Sequence, residues 1–320
     1  MPSTLPPMAD RVRHYRPSGV REIFARASAP GVISLAGGAP FVKALPLADL
    51  ADQASEIITR HGDVAFQYSF GVGMAELRRQ ICELVALEGI EADPDDVLVT
   101  AGSQLGLEAL CKVLLDPGDV VISEGPAYAG GLSALVSYGA QVRHVRTDEQ
   151  GCVPEHLAEL LEQARAEGRP AKMVYCMPTF QNPRNSLMPA SRRAEVARLA
   201  QEYGALLLED NAYGLLGFDG ATHRAMKADH PDTVAYLGSF SKMFGPGLRL
   251  GWLIPPKPYV QALKDTVETF ILNPPTLGQL QMIAYLTRSD WRGHLASMRE
   301  LYAADVTPCW APWRSPCPRA

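Results

Sequence analysis

The sequence contains no apolar run approaching the roughly 20 residues that a membrane-spanning helix needs, so no bilayer crossing by helices is expected. Residues Met1 to Gly19 hold prolines and arginines but no apolar core of a secretory leader,. No C-x-x-C pair occurs among the six cysteines, Cys82, Cys111, Cys152, Cys176, Cys309 and Cys317, which excludes a zinc ribbon and a dense disulfide framework,. Only Cys152 has a histidine close by, His156, and one such pair reads as a chance neighbour. Basic residues do not dominate either. Lys and Arg number 30 against 35 Asp and Glu, a net charge of −5, and no basic face is evident, so nucleic acid is not the expected partner,. Repeats and low-complexity segments are absent. A cytoplasmic protein with reduced thiols is the expectation.

What is present is ordinary globular composition over 320 residues, 47% hydrophobic and 20% charged,. After a helix following Pro46, with Leu47, Leu50, Ala51, Ala54, Ile57 and Ile58 on one face, a loop spans Phe66 to Gly73,. A helix from Met74 to Leu87 comes next. Short apolar runs then alternate with helical periods. The predicted strands are 97–100, 120–123, 141–145, 172–176, 205–208, 233–238 and 250–254,. Predicted helices fall at 105–115, 127–138, 155–166, 191–203, 257–272 and 277–288. This rhythm predicts an α/β fold, a three-layer sandwich around a mainly parallel sheet. Residues 1–45 read as an N-terminal arm and substrate-side segment, 46–272 as the large domain, and 273–302 as helices leading out of it. The Pro- and Trp-rich stretch 303–320 reads as irregular,.

Ligands of open α/β sheets bind beyond the carboxyl ends of the strands, so the residues after each strand are the candidates. Lys242 stands out. It follows the run Tyr236 to Ser241, and between Asp232 and Lys257 the only charged residues are Lys242 and Arg249. Desolvation favours the neutral amine, a nucleophile for a carbonyl. Ser239, Ser241 and Arg249 suit an anion such as phosphate. Gly102-Ser103-Gln104 opens a helix and offers a second anion seat or an ordinary N-cap. Tyr128 is either a packing ring or one stacked on a flat ligand. Asn182, before Pro183, is a turn former or a ligand donor. Asp210, ending an apolar strand, needs a cationic partner or serves as a cap. Together these groups match pyridoxal 5′-phosphate, with aldehyde for amine, ring nitrogen for carboxylate, and phosphate for hydroxyls and arginine.

Seven blocks in order carry a resemblance to the fold-type I, class I/II aminotransferases of the 2-aminoadipate and kynurenine branch. They are Gly37-Gly38-Ala39-Pro40, Gln67-Tyr68-Ser69, Gly102-Ser103-Gln104, Glu124 to Tyr128, Gln181-Asn182-Pro183, Glu209 to Tyr213, and Ser239 to Lys242 with Arg249-Leu250-Gly251. The resemblance covers about residues 17 to 302. It implies transfer of an amino group between an amino acid and a 2-oxo acid through a Schiff base on Lys242, which also moves the substrate proton. It implies that Asp210 pairs with the ring nitrogen, that Asn182 and Tyr213 bond the ring's phenolic oxygen, and that Tyr128 stacks on the ring. Ser103, Gln104, Ser239, Ser241 and Arg249 hold the phosphate. Tyr68 reaches the phosphate of a partner subunit, so a homodimer is implied. Arg21 and Gly38 lie on the substrate side.

Two departures qualify that match. Asn182-Pro183 is followed by Arg184-Asn185 where the family has Thr-Gly; asparagine tolerates the left-handed backbone that glycine supplies,. The family also continues into a small domain with an arginine for the substrate's α-carboxylate, and the tail after Tyr302 does not resemble it but looks like a chain read out of frame. Without that arginine, weak substrate binding and poor transamination are expected. Elimination or decarboxylation on the same cofactor, or a non-catalytic cofactor-binding protein, are the alternatives. A DNA-binding regulator is disfavoured, because too few residues precede Arg21 for a winged helix.

Overall fold

The computed structural model describes residues 5–9, 11–12, 26, 29–32, 38–69 and 71–314, with side chains described as far as 306. Helix α1, Leu47–Ala65, and α2, Ala75–Ala86, precede the sheet. The alternating part runs β1 (Leu98–Thr100), α3 (Ser103–Leu114), β2 (Val120–Gly125), α4 (Ala129–Ser137), β3 (Gln141–Asp148), β4 (Gly151–Cys152) and α5 (Pro154–Ala166). It continues with β5 (Met173–Cys176), α6 (Ala190–Glu202), β6 (Leu206–Asn211), the single turn α7 (Met226–Asp229), β7 (Val234–Ser239) and the single turn α8 (Phe240–Met243). Strand β8 (Gly251–Ile254) is followed by α9 (Val260–Ile271), α10 (Thr276–Arg288) and α11 (Trp291–Arg314).

The sheet order is β1-β8-β7-β6-β5-β2-β3-β4. The strands from β7 through β3 pair in parallel, while β8 runs antiparallel to both its neighbours and β4 antiparallel to β3. Strands β5 to β8 are buried along their whole length, which is why they read as continuous apolar runs,. Alternation sends Leu206 and Leu208 to one face and Leu207 to the other,. Helices α3, α4 and α9 cover the first face through Leu107, Leu110, Leu135, Leu263 and Val267. On the second face α5 and α6 cover one half, and α2, α10 and α11 the other. Three layers result, as the apolar periodicity predicts.

Three differences bear on the sequence reading. In α1, Leu47 and Ile58 are exposed, and the inward positions are Gln53, Ile57 and Ala65. Ile58 is about 100° round the helix from the buried Ile57, and Leu47 lies in the first turn; the kink at His61 comes after both. Strand β6 extends to Asn211, so Glu209 and Asp210 lie inside the strand. Helix α11 runs on to Arg314, where an irregular tail was expected from 303. A proline removes one helical hydrogen bond and crowds the preceding turn, but Leu295 and Met298 anchor the helix in the core before Pro308 and Pro312 are reached.

Candidate active site

Lys242 sits on α8, immediately beyond the carboxyl end of β7. Ser239 caps that turn, its Oγ accepting from the Ser241 amide at 3.1 Å,. The half-buried ammonium donates to the Gly38 carbonyl at 2.9 Å and lies 5.8 Å from the centre of the Tyr213 ring. Burial alone pushes its pKa down,. Lys242, Gly38, Tyr213, Phe180 and Asn185 line a cleft of about 660 Å³.

One strand away, Asp210 is buried. Tyr175 donates to its carboxylate at 2.7 Å. Register explains the pair: Tyr175 lies opposite Leu208, two residues before Asp210 on the same face of the sheet,. Desolvation raises the Asp210 pKa to about 6, against the opposing hydrogen bond from Tyr175. Tyr128, half-buried at the start of α4, feels Asp210 and Arg249, and burial raises its hydroxyl pKa. Burial raises the pKa of the Tyr213 hydroxyl, with nearby Asn182 opposing it. Asn182-Pro183 is a cis peptide. Asn185 has φ 59°, so it does take the left-handed backbone that its replacement of glycine requires,.

The anion seat forms where α3 meets β8. A Cβ on Gly251 would stand 2.4 Å from the Ser103 amide nitrogen, so only glycine lets β8 lie against this helix start. Gly102, at φ +85°, would put a Cβ 2.3 Å from Arg249 Nη2. The guanidinium therefore rests on the N-terminus of α3, beside the Ala101 carbonyl to which it donates at 3.3 Å. Arg249, itself left-handed at φ 51°, is exposed on its open side. Gln104 Nε2 donates to the Gly130 carbonyl at 3.1 Å, which ties α3 to the Tyr128 segment.

A match to the family model "Aminotransferase class I and II" extends over residues 30–307. The chain belongs to this family. The aromatic-amino-acid aminotransferase 1 of Thermococcus litoralis is 31% identical over 92% of this chain and 71% of its own length. The structure of Pyrococcus horikoshii kynurenine aminotransferase superposes with a TM-score of 0.86 at 31% identity, covering 93% of this chain and 74% of that one. LysN, the alpha-aminoadipate aminotransferase of Thermus thermophilus, was solved with N-(5′-phosphopyridoxyl)-L-leucine and superposes with a TM-score of 0.85 at 30% identity, covering 94% and 74%. The protein is a pyridoxal-phosphate-dependent aminotransferase.

The enzyme's residues fit that cofactor. Among the described residues the one donor to this buried carboxylate is a tyrosine, so it is short of a cation, which a ring N–H would supply,. The helix start with Arg249 laid across Gly102 is a ready dianion site,. One expected residue is not in this cluster: Tyr68 is 68% exposed on the loop after α1. Arg21 lies outside the described residues. No helix among the described residues is long and apolar enough to cross a membrane. Sequence reasoning missed Tyr175, whose only signal was a tyrosine inside an otherwise apolar buried strand, and Phe180, whose φ of 51° turns the chain at the cleft wall.

Asp210 is one of several buried acids. Desolvation raises Glu88 and Glu124 to about 7, with hydrogen bonds from Tyr236 and the Met177 amide, respectively, opposing it most. A carboxyl with a folded-state pKa above its unfolded value holds its proton more tightly when folded, so stability falls as pH rises through that range. Between pH 5.5 and 7.5 these groups act in the same direction, with half-buried His294 opposing them. The cofactor-free enzyme is expected to unfold at lower urea concentration at pH 7.5 than at pH 5.5. Glu124→Gln should flatten the difference; an equal or larger urea midpoint at pH 7.5 would count against it.

Proposed function

We propose that Lys242 holds the cofactor and that the enzyme accepts amino acids with large, mainly apolar side chains, passing their amino group to a 2-oxo acid. The observation that carries this is the Lys242 ammonium at the floor of a cleft whose walls include Phe180, Leu216, Phe218 and Val306. The relatives named for aromatic amino acids and kynurenine point to the same substrate class, and the alpha-aminoadipate relative to an acidic runner-up.

The cofactor supplies an electrophilic aldehyde and an electron-withdrawing ring. The chain's own residues do the rest. Lys242, partly desolvated, offers a neutral amine and takes the proton from the substrate's Cα,. Asp210 would hold a proton on the ring nitrogen, with Tyr175 fixing the carboxylate. Asn182 and Tyr213 would face the ring's phenolic oxygen and Tyr128 its plane. The α3 amides, Ser103, Gln104, Ser239, Ser241 and Arg249 would bind the phosphate.

The same proposal includes a cytoplasmic homodimer with residues 46–272 as its cofactor-binding domain. Phe66 (69% exposed), Tyr68 and Leu272 (58%) support the dimer, because they give an apolar patch near one point of the surface,. The loop carrying Phe66 and Tyr68 is tied to the start of α10 by Thr276, which donates to the Gln67 carbonyl at 3.1 Å. Tyr68 would then complete the partner's phosphate site.

A panel of phenylalanine, kynurenine, leucine, glutamate and 2-aminoadipate, mixed singly with cofactor-loaded enzyme, tests the substrate class. Conversion of bound cofactor to its amine form should be fastest with the aromatic members. Preference for glutamate, or no conversion with any member, would overturn the reading.

A further inference from the structure

Asn182 is carried by a turn, 178–188, that is neither helix nor strand. Its backbone is costly in two places. Phe180 at φ 51° and Asn185 at φ 59° both occupy the left-handed region, at about 1–2 kcal/mol for an ordinary side chain and less for asparagine,. Such a turn keeps its shape only when its surroundings hold it.

From the front, Gln181 holds it. Its Nε2 donates to the Pro126 carbonyl at 2.7 Å, and its Oε1 accepts from the Arg184 amide at 2.7 Å. From behind, one guanidinium holds both feet. Arg193, on the first turn of α6, is 5% exposed. Its Nε donates to the Met188 carbonyl at 2.9 Å. Its Nη2 donates to the Pro178 carbonyl at 3.0 Å and to Thr179 Oγ1 at 2.8 Å. Nη1 reaches the Arg224 carbonyl at 3.4 Å and lies 3.8 Å from Glu209 Oε1. Glu209 is itself fixed, accepting from the Met226 and Lys227 amides at 3.1 and 2.9 Å, and it is the neighbour of Asp210 on β6.

We propose that Arg193 is the positioning residue of the Asn182 turn, locking both of its feet against the strand that carries Asp210. This rests on the reading of Asn182 as a residue that faces the cofactor. The planar fork is essential to the role. A lysine keeps the charge but has no fixed in-plane donors, so it cannot hold Met188, Pro178 and Thr179 at once.

The test compares Asn182→Ala, Arg193→Lys, Thr179→Val and Val196→Ala. Val196 is buried on the same helix in the core beneath the sheet and serves as a purely structural control. Hydrogen exchange of the cofactor-free protein reads the turn directly. Arg193→Lys should speed exchange of the Gln181 and Asn185 amides, which bond across the turn to Ser186 and Gln181, while Val196→Ala should leave them slow. The pH titration of the bound cofactor's absorbance reads the aim of Asn182. Its midpoint should move in the same direction in Asn182→Ala and Arg193→Lys, less in Thr179→Val, and not in Val196→Ala. In Arg193→Lys, kcat should fall about 10- to 100-fold, the scale of an ångström's misplacement, with KM little changed. A normal spectrum and slow turn exchange in Arg193→Lys, where Asn182→Ala shifts the spectrum, would overturn the role of Arg193. An unshifted spectrum in Asn182→Ala would overturn the reading beneath it. Should Arg193→Lys fail to fold, Thr179→Val decides on the same two readouts.

Discussion

Lys242→Ala is expected to lower turnover by about 10,000-fold or more, because one change removes both a nucleophile and a positioned base. The size follows from how the amine is placed. Its pKa is lowered by burial alone, so the environment exists to make a neutral amine accessible. Among the described residues its one hydrogen bond is to the Gly38 carbonyl, a weak tether that leaves the amine free to exchange partners. Loss of that bond should change stability by no more than about 1 kcal/mol, so the variant should fold and still bind cofactor through the anion seat. Lys242→Arg keeps the charge and should be equally inactive, because a guanidinium does not give up its proton in a protein. Steady-state transamination together with the absorbance of bound cofactor makes the measurement. Retention of turnover within tenfold of wild type in Lys242→Ala would sink the assignment of this lysine.

That lysine was legible in the sequence because its neighbourhood is so bare of charge. Strands β5 to β7 were legible for a related reason: both faces are covered, so they read as unbroken apolar runs. Asn185 was legible because left-handed backbone selects glycine or asparagine, and its φ of 59° matches. The rest depended on distance along the chain. Tyr175 and Asp210 are 35 residues apart, and only the pairing of β5 with β6 makes them partners. In the sequence Arg193 is one of two adjacent arginines of α6, Arg192 and Arg193. Helical phase separates them: Arg192 meets Asp148 at the surface, whereas Arg193 turns inward beneath the Asn182 turn. The inward face of α1 was read too wide: Ile57 points in, but Ile58 stands about 100° further round the helix and is exposed, as is Leu47 in the first turn,.

The second large effect should appear at Asp210, with opposite signs in activity and stability. Asp210→Asn keeps the shape and removes the charge. With the ring nitrogen's partner gone, kcat should fall about 100- to 1,000-fold, the usual loss for one preorganised electrostatic contact. In the cofactor-free enzyme the same charge is a burden. Its folded-state pKa of about 6 lies above the ordinary 3.8, so at pH 7.5 the fold carries a desolvated carboxylate for which the hydrogen bond from Tyr175 does not compensate. Replacing it should raise stability at pH 7.5 by on the order of 2–3 kcal/mol. The gain should shrink as pH falls through 6 and disappear below about 4, where the wild-type carboxyl is protonated in folded and unfolded chains alike. Saturating cofactor should reverse the order, because only the wild-type carboxylate gains the cation it lacks. Urea unfolding at pH 4 and 7.5, with and without cofactor, resolves all three arms. A cofactor-free Asp210→Asn protein less stable than wild type at pH 7.5 would mean that the carboxylate serves the fold through Tyr175. The site would then owe its aspartate to packing, not to a ring nitrogen.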